Sequence, residues 1–270
     1  MNLKKKKNII IFGNCQAGQI KRTMKKLLPD TQFNIEYYSN NSRTEIMKSS
    51  SEILSAIGYA DIFIYQPLGE KYKELSEKNL LNNIVKDSCK SLSFTYIFNS
   101  GVYSLCHAPF SGKNSYGTVY GEEEIIKLIN NFNSKNEILQ KYKHGEIDFR
   151  LIKRFEQCLG EMKRRELFTT IKLSEFIVEH YRHQKLFISH NHPSNIIFYE
   201  ILRQIQNTVD IPFNLEEIRE ISELPETNSP ISPYDVTIHD YRFKCHENWY
   251  LKGKELIDKI MASHSLNYTK

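Results

Sequence analysis

Cysteine, glutamine and histidine side chains at three places in this sequence could share one chemistry. Cys15 and Gln16 stand in Gly13-Asn14-Cys15-Gln16, Gln66 closes an apolar run before Pro67, and Ser189-His190-Asn191-His192-Pro193 follows another apolar run. A thiol at the amino end of a helix can have its pKa lowered and become a nucleophile. A histidine within reach can take its proton, which is the logic of covalent acyl transfer. His192 is the candidate base and Cys15 the candidate nucleophile, and the amide of Gln66 could donate to an oxyanion. Equally, Cys15 could be a small buried residue behind a glycine turn, His192 a helix cap and Gln66 a turn cap. These residues alone leave both readings open. His190 and His192 share an i, i+2 spacing that could bind a metal, but no carboxylate or cysteine lies beside them, and no metal site is expected.

Such groups act together only if strand ends and helix starts carry them to one edge. Ile9 to Phe12 form a short apolar, β-branched run suited to a buried parallel strand, and Gly13 breaks it. Ile20, Met24, Leu27 and Leu28 then recur at helical spacing. Further strands are expected at residues 32–39, 61–66, 93–98 and 185–189, with helices between them. The alternation predicts an α/β fold, a doubly wound, mainly parallel sheet flanked by helices, with a helical or irregular C-terminal part. Ligands of such sheets collect at the carboxyl edge. His192 would cap a helix whose first turn contains Pro193. Residues 99–121, rich in Gly, Ser and Tyr, read as a surface loop or lid. The expected division is a catalytic domain over 1–206 and an extension over 207–270 packed on it.

Composition narrows the class. Net charge is +5 over 270 residues, and the only basic block is Lys4 to Lys7, read as a solvated tail. No nucleic-acid partner is expected. No apolar stretch approaches the ~18 residues of a transmembrane helix, and the apolar core after the first lysines is too short for a secretory leader. Five scattered cysteines without CxxC read as reduced thiols of a cytoplasmic protein. Gly13 to Gly18 has the glycine spacing of a P-loop, but Gln19 and Ile20 replace the required Lys and Ser/Thr. A nucleoside triphosphatase is thereby disfavoured. The basic runs Arg150, Lys153, Arg154 and Lys163, Arg164, Arg165 read as a solvated helix face, with a phosphate-bearing ligand as the sharper alternative.

Taken together, Gly13 to Gln16 after a hydrophobic strand, a strand ending in Gln66-Pro67, a tyrosine-rich middle and His192-Pro193-Ser194-Asn195 before a helix resemble the WcbI-like family over about residues 8 to 206. That resemblance implies a polysaccharide-biosynthesis protein that binds coenzyme A and moves an acetyl group from acetyl-coenzyme A to a sugar hydroxyl. It implies catalytic roles for Cys15, His192, Gln16, Gln66 and Ser189, and cofactor contacts from Gly13, Asn14, Arg154, Arg182, His190 and Asn195. A more distant likeness to SGNH hydrolases places Cys15 at the serine position and His192 at the histidine, with Ser189 where that pattern has Asp. A serine stabilises an imidazolium less than a carboxylate does. An SGNH-like thiol esterase or deacetylase, and a ligand-binding protein without chemistry, are the alternatives.

Overall fold

The computed structural model describes residues 6–108, 118–131, 133–220 and 229–267. In chain order the elements begin with β1 (Lys7–Gly13), α1 (Cys15–Leu27), β2 (Phe33–Ser39), α2 (Arg43–Lys48), α3 (Ser50–Tyr59), β3 (Ile62–Tyr65), α4 (Glu77–Asn79) and β4 (Lys90–Ser93). They continue with β5 (Cys106–Ala108), β6 (Thr118–Tyr120), α5 (Glu122–Asn130), α6 (Lys135–His144), α7 (Leu151–Glu166) and α8 (Ser174–His180). The last are β7 (Phe187–Ser189), β8 (His192–Pro193), α9 (Asn195–Val209), α10 (Pro233–His239) and α11 (Trp249–Asn267). They form two compact units, the first made of residues 1–97, 162–176 and 195–222, the second of 98–161, 177–194 and 223–270. The stretch expected as a C-terminal extension, 207–270, is thus shared between the two. Among the described residues no helix is long and apolar enough to cross a membrane.

The first unit is the α/β part. Its sheet is parallel throughout, in the order β2-β1-β3-β4, so the apolar run Ile9 to Phe12 lies fully inside between two neighbours. Phe12 pairs with Tyr65 and Ile10 with Phe63, and these side chains join Ile53, Ile57, Leu75 and Leu80 in one core. Gly13 is required by packing, because a Cβ there would meet the Ala17 Cβ at 2.7 Å and the Gln66 Oε1 at 3.0 Å. Asn14 then caps α1, its side chain accepting the Gln16 N–H at 2.9 Å.

The fourth strand lies earlier than expected, at 90–93, because the backbone of Ile97 is claimed by a side chain. The Gln16 amide donates to the Ile97 carbonyl at 2.7 Å and accepts its N–H at 3.1 Å. Beyond β4 the Phe94 N–H still donates to the Tyr65 carbonyl at 3.0 Å, and Phe94 makes an isolated parallel bridge to Ile171.

The second unit departs further from expectation. The run at 185–189 is not a fifth parallel strand: β7 pairs antiparallel with β8 across the two-residue turn His190-Asn191. Pro193 sits in that pair, where its missing N–H is tolerated, and not in the first turn of α9. Nor is the start of the 99–121 stretch a surface lid. Val102, Tyr103, Leu105 and Cys106 are buried. Asn99 donates to the His190 carbonyl at 2.7 Å, and the Tyr103 hydroxyl donates to the Phe187 carbonyl at 2.5 Å. Gly101 explains the burial, since a Cβ there would stand 2.1 Å from the Phe155 nitrogen. Residues 109–117 of the expected lid lie outside the described residues. Buried Asp235 ties α10 to this segment, accepting from the Ser104 N–H at 2.8 Å, from the Ser104 hydroxyl and from the Ser232 N–H at 2.7 Å.

Candidate active site

At the carboxyl edge of the parallel sheet the first unit holds a cleft of about 620 Å³. Asn14 follows β1, Gln66 follows β3, and Phe94 and Thr95 follow β4, so three strand ends form its floor. Arg164, Arg165 and Phe168 form another wall with Tyr72 and Tyr96. The volume and the mixture of aromatic and polar walls are those of a small-molecule site.

Gln66 is its most informative group. Only 7% of it is exposed, and its Oε1 accepts the Asn14 N–H at 2.9 Å, which fixes the amide plane. The amide nitrogen then has no hydrogen-bond partner among the described residues. A buried donor left unmade costs about 1–3 kcal/mol, so this one is matched to a ligand acceptor more naturally than to the protein.

Cys15, the first residue of α1, is half-buried and does not line the cleft that its neighbour Asn14 lines. Its pKa is raised rather than lowered. Burial dominates, and the backbone N–H groups of Gln16 and of Cys15 itself only partly offset it. The helix end therefore does not deliver a thiolate at neutral pH, and any attack by this sulfur needs a base. Alkylation by iodoacetamide, followed at the Cys15 peptide by mass spectrometry, is expected to be slow at pH 7 and to accelerate through pH 9. A rate already at its plateau at pH 7 would contradict the burial argument.

The remaining predicted residues divide between the units. Gln16 is fully buried with its amide committed to Ile97, so it holds the chain rather than an oxyanion. Asn195, in the first unit, donates to the Ile218 carbonyl at 3.1 Å. In the second unit His192 is half-buried at the start of β8, opposite Ser189 in the ladder. The Ser189 hydroxyl donates to the Asn191 Oδ1 at 3.3 Å. Arg154 donates to the carbonyls of Phe149 and Ser100, and burial lowers its pKa. Arg182 is exposed and lies over the Tyr181 ring at 5.3 Å. Arg164 and Arg165, read from the sequence as a solvated face with a phosphate-bearing ligand as the alternative, are exposed and line the cleft.

His190 is not a cofactor contact on this geometry but part of a buried cluster. The Cys106 sulfur accepts its backbone N–H at 3.1 Å and lies 3.1 Å from its Nδ1, with the Ser229 hydroxyl 2.9 Å from the same sulfur. Burial first, then the positive charges of His192 and Arg154, push the His190 pKa down to about 3. An unfolded histidine titrates near 6.5, so between pH 6.5 and 3 the unfolded chain binds a proton that the folded chain refuses. This contribution to stability is complete above pH 6.5 and is lost as pH falls toward 3. The melting temperature is expected to fall between pH 7 and pH 4, and less steeply in His190→Gln. Equal slopes would remove His190 from that account.

An open parallel sheet, a capped strand-to-helix turn bearing a thiol and a cleft at the carboxyl edge define an α/β protein of the ligand-binding, enzyme-like class. The sequence profile of the family described as polysaccharide biosynthesis enzyme WcbI matches residues 8–214, and the chain belongs to that family. Among solved structures, one of WcbI, described as a novel polysaccharide biosynthesis enzyme, aligns with a TM-score of 0.64 and 19% identity over 96% of both chains. It is described as the native protein without a disulfide bond between coenzyme A and one of its cysteines. At that identity the likeness is one of fold. No curated protein matches the chain.

Proposed function

We propose that this member of a family of polysaccharide biosynthesis enzymes is a coenzyme A-dependent acyltransferase that acetylates a sugar hydroxyl. The observation that carries this reading is the cleft beside Asn14, where the unsatisfied Gln66 amide and two arginines face one space. A thioester carbonyl suits the Gln66 donor, and the phosphates of coenzyme A suit Arg164 and Arg165. The family and the coenzyme A named for the WcbI structure support the choice of donor.

In the covalent route the Cys15 sulfur loses its proton to a base and forms a bond to the acetyl carbonyl. The carbon–sulfur bond to coenzyme A then breaks, and the departing thiolate takes that proton. The sugar hydroxyl next attacks the Cys15 thioester, giving its proton through the base to the released sulfur. In the direct route a base takes the proton of the sugar hydroxyl, which attacks bound acetyl-coenzyme A while Gln66 meets the developing negative charge, and the departing coenzyme A thiolate takes that proton. His192 is the residue proposed for the base, by its chemistry. Calorimetric titration with coenzyme A tests the donor site. Arg164→Glu and Arg165→Glu are expected to weaken binding roughly tenfold or more, the worth of one charge-assisted hydrogen bond. Unchanged affinity in both would move the phosphates elsewhere, with Arg154→Glu and Arg182→Glu as the next probes. No heat of binding in the parent protein would remove the cofactor.

A further inference from the structure

A second pocket, of about 440 Å³, lies wholly within the second unit. One wall is Arg150 and the first turns of α7, with Lys153 and Arg154, and another is the first turn of α5, with three glutamates. Two close approaches hold the walls in place. Gly121 has φ +92°, and a Cβ there would stand 2.1 Å from the Ser104 carbonyl oxygen. Arg154, from the other wall, donates to the Ser100 carbonyl.

The charges inside are balanced and partly spent. Arg150 pairs with Glu124 and with Glu123 at 3.5 Å, and Glu124 also holds Lys127 at 3.0 Å. The glutamates fill the first turn of α5, where they already neutralise the helix dipole. A polyanion gains little in such a place. What remains unspent is of both polarities: the half-buried Glu122 carboxylate, the Lys153 ammonium, the Gln157 amide and the Tyr120 hydroxyl have no hydrogen-bond partner among the described residues. The Tyr120 ring rests on His190 at 3.7 Å between centroids, with Phe98 edge-on at 5.6 Å. A packed aromatic ring beside unspent donors and acceptors suits a ligand with an apolar face and a rim of hydroxyls.

We propose that this pocket is a pyranose-binding subsite, with Tyr120 stacking the sugar ring and Glu122, Lys153 and Gln157 hydrogen-bonding its hydroxyls. The inference deepens the reading of the chain as a sugar acyltransferase by placing the acceptor, and it rests on that reading for its catalytic meaning. His190, on which Tyr120 rests, stands two residues before His192 in the β7–β8 turn.

Saturation-transfer difference NMR on an equimolar mixture of the methyl pyranosides of glucose, galactose, mannose and N-acetylglucosamine tests it. At least one pyranoside is expected to bind the wild-type chain. Its affinity is expected to fall roughly tenfold or more in Glu122→Ala, the loss of one hydrogen bond to a charged group, and severalfold or more in Tyr120→Leu, the loss of the stacking ring. Glu122 is half-buried and outside the hydrophobic core, so its variant keeps the test open if Tyr120→Leu fails to fold. Coenzyme A titrated into the same samples should bind alike in all three. Absence of any pyranoside signal, signals unchanged in both variants, or displacement of the pyranoside by inorganic phosphate would overturn the subsite. Loss of coenzyme A binding with the pyranoside retained would instead overturn the acyltransferase reading and leave the subsite standing.

Discussion

His192→Gln is expected to lower acetyl transfer from acetyl-coenzyme A to a sugar acceptor by roughly 10²–10⁴-fold, the range that a positioned acid–base group contributes. The expectation is larger here than for a site with a preformed thiolate. Burial keeps the Cys15 sulfur protonated at neutral pH, so both the sulfur and the sugar hydroxyl depend on a base. Cys15→Ala then separates the routes. In the covalent route it abolishes turnover, whereas in the direct route it leaves a reduced rate that still needs His192. Intact mass after incubation with acetyl-coenzyme A alone gives the cleaner reading. A gain of one acetyl group that disappears in Cys15→Ala supports the covalent route. No adduct, with brisk single-turnover transfer in Cys15→Ala, removes the nucleophile, and full activity in His192→Gln removes the base.

Asp235→Ala is expected to destabilise the fold by on the order of 3–5 kcal/mol, because it strands three buried donors at about 1–3 kcal/mol each before relaxation. These are the Ser104 N–H, the Ser104 hydroxyl and the Ser232 N–H. Against a typical total of about 5–15 kcal/mol, this change alone can decide whether the chain stays folded. Asp235→Asn should rescue only in part, since both carboxylate oxygens accept and an amide nitrogen must then face one of the donors. Urea denaturation at pH 7 reads the effect as a shift in midpoint at constant slope. A midpoint shift worth less than about 1 kcal/mol in Asp235→Ala would show that water replaces the carboxylate cheaply.

How much of this was legible depended on whether a residue's partners are near it in sequence. Ile9 to Phe12 and Gly13 could be read because a buried run and its break are adjacent in sequence. The family resemblance was readable for the same reason, and the matched span of 8–214 agrees with it. Residues 99–106 were not. Their Gly, Ser and Tyr composition reads as loop until Tyr103 meets Phe187, Asn99 meets His190 and Gly101 meets Phe155. The state of the Cys15 thiol stayed open because a sequence shows the helix end that lowers its pKa and hides the burial that raises it. Gln66 was found as a residue, but its role could not be read, since the free amide nitrogen follows from the Asn14 bond to its oxygen.

The interleaving of the two units has a consequence for the birth of the chain on the ribosome. All four strands of the parallel sheet have been made once residue 93 is joined, yet the segments that complete their unit end only at residue 222. Residues 98 to 222 number 125, which at about 5–20 residues per second take roughly 6–25 s to synthesise. For that time the sheet waits with part of its apolar surface uncovered, a natural client for a holding chaperone. No single cut of the polypeptide separates the two units, so neither can be produced as a continuous fragment free of segments of the other.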